Sequence, residues 1–514
     1  MENRNSVREF YKAKNIFITG ATGFIGKALI EKLLRSCPDI HNLYALVRNK
    51  KGKTLKERRE QLFSNPIFDL LRDNQPELFR KVLFIQGDVA EDNLGISGGD
   101  MKMLIENVHV VFHCAASVKF DDFLKDAIRT NLTSARDMAL LALKMKKLDV
   151  FVHVSTAYCS ISEGKTVPEE LIPAIADWKE TIYVAEKCDE NLLNILSHKI
   201  VGKYPNTYTY TKHLADHCIN ELLGSKIPTV IVKPTIVTNS ISEPMIGWGD
   251  NFNGPVGISI GNGFGVLRIF MADLNISMDY VPIDTVIKAL ILAGRNTAQS
   301  QSESSTSVDV IQPSAFGFKK YSLKLFAQLG QQVVHKYPLD MQIWYPNMTF
   351  TQSWIYYYIN AVLFHLVPAI CIDLLLRIFR YKPILFKIQR KIFIANLAVS
   401  YFTTHEWNFL NDKALRLFEC LEDSEKEDFK YIVVNDNEHA YRYLKASLKT
   451  TKWLLLGQSK GTKSSAFKIN KGFYYLDRIC KGIFYICVIW IAFFKYNIIA
   501  ALLGATSNNW TGLY

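Results

Sequence analysis

The chain has 514 residues, 49% of them hydrophobic, which suffices for two or three domains with large cores and excludes disorder on the scale of a domain. A net charge of +12 favours anionic partners, yet no basic run is interleaved with aromatics and no zinc-finger spacing occurs, so no nucleic acid and no metal site are expected. Nine cysteines without a C-x-x-C pair, and a start Met1-Glu2-Asn3-Arg4-Asn5 without the apolar core of a secretory signal, place the bulk of the chain in the reducing cytosol.

In chain order, the apolar run Asn15-Ile16-Phe17-Ile18 leads into Thr19-Gly20-Ala21-Thr22-Gly23-Phe24-Ile25-Gly26, and Lys27 to Leu34 then repeats apolar residues at helical spacing. The pattern predicts strand, tight glycine turn and helix. Glycines 20, 23 and 26 let the backbone turn sharply, admit a pyrophosphate close to the main chain, and aim helix N-terminal amides at it. A purely steric glycine turn is the alternative. The second strand, Leu43 to Arg48, offers Arg48 where an NAD site places a carboxylate, with Lys50 and Lys51 behind it, so the predicted cofactor is NADPH. The third, Lys81 to Val89, sets Asp88 and Val89 beside the adenine. The fourth, Val108 to Ala116, has the continuous apolar character of a buried parallel strand; Ala115 and Ala116 leave room for the cofactor, while His113 and Cys114 read as core.

The fifth strand, Val150 to Ala157, ends in Ser155 and Thr156 at the carboxyl edge, where open parallel sheets bind ligands and a hydroxyl can orient a carbonyl. Tyr208 and Lys212 then stand one helical turn apart on one face. A phenol, with a free pKa of about 10, exchanges protons poorly near neutrality until an ammonium stabilises its phenolate. Lys212 supplies that charge and can reach a nicotinamide ribose, which leaves Tyr208 aimed at an oxygen that gains a proton as hydride arrives at carbon.

These residues together resemble the extended short-chain dehydrogenase/reductase superfamily and, within it, the alcohol-forming fatty acyl-CoA reductases. The narrower resemblance is carried by Glu9-Phe10-Tyr11, Thr19 to Gly26, Leu33 to Ile40, Leu46-Val47-Arg48, His153 to Cys159, Tyr208 with Lys212, Lys233-Pro234-Thr235-Ile236-Val237, and above all Glu243 to Pro255. It covers nearly the whole chain. It implies a Rossmann-type doubly wound parallel α/β sheet over residues 10–345, a mainly helical C-terminal domain over 346–475 and a hydrophobic tail over 476–514. It implies that Thr19, Gly20, Thr22, Gly23, Phe24, Ile25 and Gly26 cradle the dinucleotide, with Arg48, Asp88, Val89, Ala115, Asn131, Lys212 and Pro234 also on the cofactor. Thr156, with Ser155 as second choice, is implied as the catalytic hydroxyl beside Tyr208. The implied reaction is NADPH-dependent reduction of a long-chain fatty acyl-CoA to the primary alcohol. A soluble sugar-nucleotide epimerase and a non-catalytic dinucleotide-binding protein tethered to a membrane are the rival readings.

The glycines between Gly247 and Gly265 predict a loop, and Trp248, Phe252 and Phe264 in that pocket insert around 240–280 are expected to line an acyl site. Asp279 to Asp284 resumes a strand-to-helix pattern, and Ser300 to Ser307 reads as an exposed polar loop. Trp354 to Leu376 is apolar apart from His365, Pro368 and Asp373, which argue against a simple crossing; a buried or membrane-surface helix pair is expected, flanked by Arg377, Arg380, Lys382, Lys387, Arg390 and Lys391. His405 to Phe409 and Tyr441 to Lys445 also match the family, whereas Asn435 to Ala440 departs from its pattern. Gly482 to Leu503, interrupted by Lys495, is long enough to span or nearly span a bilayer, and the lysines before it leave the catalytic part cytosolic, with Asn509 beyond it. The expected membrane is the endoplasmic reticulum, with the peroxisome or lipid droplet as alternatives. Nothing in the sequence bears on oligomeric state.

Overall fold

Apolar strands buried on both faces need helices on both sides, and the chain alternates strand and helix accordingly. The computed structural model describes residues 6–49, 52–161, 164–300, 308–491 and 493. Among them seven strands form one parallel sheet: β1 (Asn15–Thr19), β2 (Asn42–Val47), β3 (Val82–Gln86), β4 (Val110–His113), β5 (Val150–Val154), β6 (Thr229–Val232) and β7 (Asp309–Ile311). Their spatial order is 7-6-5-4-1-2-3. β1 pairs with β2 through Ile16 and Leu43 and with β4 through Ile16 and Val110, so the winding reverses at β1. That reversal opens a crevice at the carboxyl ends of β1 and β4.

Alternation along each strand divides the core. Val150, Val152 and Val154 pack with Leu29 and Leu33 of helix Phe24–Ser36 and with Val286 and Leu290 of helix Ile283–Gln299. Phe151 faces the other way, into Met138, Leu214 and Cys218. The C-terminal region completes the first of these cores: Ala414, Leu417, Leu421 and Phe429 join it. Asn408–Phe409 pairs in parallel with Thr166–Val167, and Glu425 accepts from the amides of Val7 and Arg8 at 2.8 and 3.0 Å, capping the first described helix.

The segment expected as a loop contains a helix, Pro255–Gly263. Proline at its first position needs no amide partner. The glycines serve close packing: a Cβ at Gly257 would lie 2.2 Å from Phe252 O and one at Gly263 3.0 Å from Leu339. Nor do the three aromatics share a wall. Trp248 is fully buried, stacked on Phe24 at 5.1 Å; Phe252 is exposed; Phe264 packs beside Val333, Val334 and Leu339.

Trp354–Ile378 is one apolar helical run that is not buried but keeps much of its surface outward, with Tyr357 and Tyr358 against Phe393 of helix Leu385–Thr403; Ile355 is 75% exposed and Ile378 72%. A π-helical turn, Val362–Leu366, precedes Pro368, where the missing amide would otherwise break the ladder. His365 and Asp373 face inward and are satisfied. His365 Nε2 accepts from the amides of Arg268 and Ile269, and Asp373 accepts from those of Ile384, Leu385 and Phe386. Beside it runs helix Ser464–Trp490, in ring contact through Phe364 and Phe484 and fastened by Asp477 to Arg268 (3.0 Å) and Trp344 (2.8 Å). Lys50, Lys51, residues 301–307, Lys495, Asn509 and the rest of the tail lie outside the described residues.

One ion cluster ties helix Phe24–Ser36 to helix Ile283–Gln299 through the loop residue Glu243. Glu243 meets Lys32 at 2.9 Å, Arg35 at 2.9 Å and Lys288 at 2.7 Å. Burial alone would push its carboxyl up, but Lys32, Lys288 and Arg35 override it and hold it at about 2. A depressed carboxyl stabilises the fold above its unfolded pKa and loses that contribution as pH falls through the folded value. Glu243→Gln is therefore expected to cost about 2–3 kcal/mol near neutrality and to flatten the loss of stability between about pH 4.5 and pH 2, measured by denaturant unfolding against pH.

Candidate active site

Gly20 carries φ +69°, and a Cβ there would lie 2.8 Å from Ala115 N, so the turn closes directly onto the end of β4. A Cβ on Gly26 would sit 2.2 Å from Gly20 O; this glycine lets the helix approach the turn. Gly23 is exposed, and its added Cβ would meet Gly20 O at 3.1 Å. Helix Phe24–Ser36 has no side-chain N-cap and no acidic residue in its first turn, so its leading amides remain directed at the crevice. The cradle fits a pyrophosphate. Thr19 braces it from below, its hydroxyl 2.8 Å from His113 Nδ1 and accepting from Ala115 N. Thr22, Phe24 and Ile25 are partly exposed along the rim.

Arg48 is exposed at the end of β2. A second guanidinium stands with it: Arg58, on helix Leu55–Phe63, donates to Arg48 O at 3.0 Å and to Thr22 Oγ1 at 3.4 Å. Asp88 turns its carboxylate back to Ala90 N at 3.0 Å, and Val89 is buried. Asn131 lies within a π-helical turn, Ile128–Thr133, and not at a helix cap; its amide bridges Ser117 and Thr211 Oγ1, linking the loop after β4 to the helix that carries Tyr208. Pro234 O accepts from Ala157 N at 3.0 Å and so fixes the turn that follows β5.

That turn separates its two hydroxyls. Thr156 stands beside the Tyr208 phenol and favours its ionised form, whereas Ser155 points inward to Cys159 and Asp216. Tyr208 is half-buried, and burial pushes its phenol above the ordinary value, opposed by Thr156. Lys212, 1% exposed, donates to Val154 O at 2.7 Å and to His153 Nε2 at 3.3 Å; burial pulls its ammonium down and Asp216 opposes that. The hydroxyl pair and the ammonium therefore lie on one helix face, with the ammonium on the inner side. His113, driven to about 3 by burial, is core as expected.

Beyond Tyr208 runs a series of aromatic rings. Phe120 lies 5.8 Å from Tyr208 and 5.4 Å from Phe402, which meets Tyr158 at 5.2 Å; Tyr158 meets Trp407 at 5.9 Å. Trp407 in turn walls a cleft of about 620 Å³, counted with its open mouth, together with Asp279, Tyr280, Lys320, Phe326 and Tyr443. The C-terminal region thus builds one side of the site. Sequence reasoning missed Arg58, Asp216, Phe120 and Phe402. Asp216 carried a readable signal, since it continues the Tyr208, Lys212 spacing by four more residues; the two phenylalanines come from distant segments and carried none.

The described geometry agrees with what the chain is similar to. The NAD-binding male sterility protein model matches residues 18–290, and a second male sterility protein model matches residues 364–456. Fatty acyl-CoA reductase 1 of Xenopus laevis is 36% identical over 91% of this chain and 89% of its own, and that of Homo sapiens 34% identical over 91% and 89%. The fold is shared with the terminal R domain of the myxalamid PKS-NRPS pathway, at TM-score 0.58 and 15% identity over 88% of this chain and 93% of that one. It is shared too with the R domain of a nonribosomal peptide synthetase from Mycobacterium tuberculosis, at TM-score 0.53 and 14% identity over 89% and 96%. With a nicotinamide-dinucleotide cradle, a Tyr-Lys helix and full-length relatives of one kind, this chain belongs to the fatty acyl-CoA reductase family.

Proposed function

We propose that the protein reduces long-chain fatty acyl-CoA to the primary alcohol in two hydride transfers through an aldehyde, with NADPH. The observation that carries this is the Tyr208 phenol set beside Thr156 at the carboxyl edge of the sheet, between the glycine cradle and an aromatic wall. The dinucleotide, when bound, supplies the hydride. Backbone amides after Gly20 and Gly23 would hold its pyrophosphate, while the Lys212 ammonium, turned inward to Val154 O and His153 Nε2, keeps positive charge behind Tyr208. Thr156 and Tyr208 orient the carbonyl oxygen, and Tyr208 stabilises the negative charge that grows there by hydrogen bonding and then proton transfer. The oxygen re-forms its double bond as CoA thiol leaves, giving the aldehyde; in the second round Tyr208 leaves its proton on the alcohol. Supplying purified protein with C16 or C18 acyl-CoA tests the reading. Two NADPH consumed per CoA released supports it; one per CoA means the aldehyde is the product, and none overturns it.

Arg48 and Arg58 form the 2′-phosphate site in this reading. Arg58→Gln is expected to raise KM for NADPH about 10- to 100-fold, with KM for NADH nearly unchanged, because a charge-assisted contact is lost to one cofactor and not the other. Residues 10–345 would supply the reductase chemistry with a pocket insert around 240–280, residues 346–475 a helical domain, and 476–514 a membrane-associating tail. The outward apolar faces of Trp354–Ile378 and Ser464–Trp490, with Arg377, Arg380, Lys382 and Lys387 alongside, suit an anionic lipid surface, with the catalytic part in the cytosol and the endoplasmic reticulum as the membrane. Cell fractionation with alkaline extraction checks this assignment.

A further inference from the structure

Beneath Tyr208 lies a charged cluster sealed from water. Helix Thr207–Leu223 presents Tyr208, Lys212 and Asp216 at four-residue intervals along one stripe. Asp216 Oδ2 accepts from Lys233 Nζ at 2.8 Å and from Cys159 Sγ at 3.1 Å, while its Oδ1 faces His153 Nε2 at 3.6 Å without a hydrogen bond. Lys233 also donates to Ser160 Oγ at 2.7 Å, so the pair holds the turn that carries Thr156. An ammonium can only donate, so His153 Nε2 accepts from Lys212 and the ring proton sits on Nδ1. His153, Lys212, Asp216 and Lys233 are each at most 1% exposed.

The charges do not balance. Two ammoniums face one carboxylate. The other titratable groups facing them are held neutral by burial: His113 and Cys114 at the end of β4, His153 on β5, Cys159 on the turn, and Tyr204, His213 and His217 around the helix. One positive charge is left in surplus behind the phenol.

We propose that Asp216, through its pairing with Lys233, is a positioning residue that sets how much positive charge stands behind Tyr208 and keeps the Lys212 ammonium charged. The proposal rests on the reading of Tyr208 and Lys212 given above. Removing the carboxylate leaves two buried ammoniums facing each other, so Lys212 gives up its proton at lower pH. Removing Lys233 instead leaves the carboxylate to Lys212 alone, so the proton stays on to higher pH. Opposite displacements are the signature, since loss of packing alone moves both variants the same way.

The test uses the full chain and two readouts between about pH 6 and pH 10: NADPH affinity by nicotinamide fluorescence, and the alkaline limb of acyl-CoA reduction. The midpoint is expected to fall by about one pH unit or more in Asp216→Asn and to rise by about as much in Lys233→Met. The double variant restores the original net charge and should return the midpoint to that of the unaltered protein. It also removes both partners of a buried pair, which folds better than removing one, so a displaced midpoint there overturns the proposal even where a single variant does not fold. Unchanged midpoints, displacements in one direction, or a displaced double variant overturn the proposal. Opposite shifts in NADPH affinity without acyl-CoA reduction would leave the charge pair standing and remove the substrate assignment.

Discussion

Tyr208→Phe is expected to lower acyl-CoA reduction about 10³-fold, with melting temperature and NADPH affinity close to those of the unaltered protein. The ring stays packed against Phe120, and the loss of the polar contact with Thr156 costs the fold about 1 kcal/mol at most. In the proposed mechanism, what disappears is the group that meets the growing negative charge on the substrate oxygen. If both proposed reduction steps place an oxygen at the same point, turnover of a free long-chain aldehyde falls by a similar factor. Near-normal alcohol formation in this variant would remove Tyr208 from the chemistry.

Gly26→Ala and Gly23→Ala are expected to part company. A methyl at Gly26 lands on the backbone of Gly20, which no rotamer change can relieve, so helix and turn must separate. Overpacking of this kind costs about 1–3 kcal/mol, and the displaced turn is the pyrophosphate cradle, so NADPH should bind up to about 100-fold more weakly and the melting temperature should fall by several degrees. At Gly23 the methyl points toward the crevice from an exposed position, 3.1 Å from Gly20 O. Its effect should fall on NADPH affinity with little change in melting temperature. Differential scanning fluorimetry alongside a fluorescence titration separates the two. A similar thermal penalty in both would show that the turn has no room set aside for a ligand.

Periodicity and turn chemistry expose local structure, which is why the first five strands of the sheet, the glycine turn and the Tyr208, Lys212 face could be read from the chain, whereas Thr229–Val232 and Asp309–Ile311 were not located. Each depends on residues within about ten positions of one another. Burial direction and long-range partners are not written that way. Trp248 looked like pocket lining because it is a large aromatic among glycines, yet it fills the gap over Phe24 that the close-packed turn leaves. The helix Pro255–Gly263 was hidden because its glycines are there to let Phe252, Leu267 and Leu339 approach, a tertiary demand that outweighs propensity. His365 and Asp373 read as obstacles to an apolar helix, whereas both cap backbone amides of neighbouring segments and leave the outer face greasy. Arg58 was concealed in a charged helix whose other residues are ordinary surface.

The return of the chain after residue 404 makes the protein a closed loop of dependencies. Phe429 and Leu417 finish a core begun by Ile16, Tyr443 hydrogen-bonds Thr238 and Asn239, Tyr431 hydrogen-bonds Ser314, and Glu425 anchors the amides that open the first helix. Cutting near residue 345 would strip those anchors together and bare a hydrophobic trench along helix Ile283–Gln299. Residues 1–345 alone are therefore expected to melt well below the full chain, a difference that thermal unfolding of the two would measure.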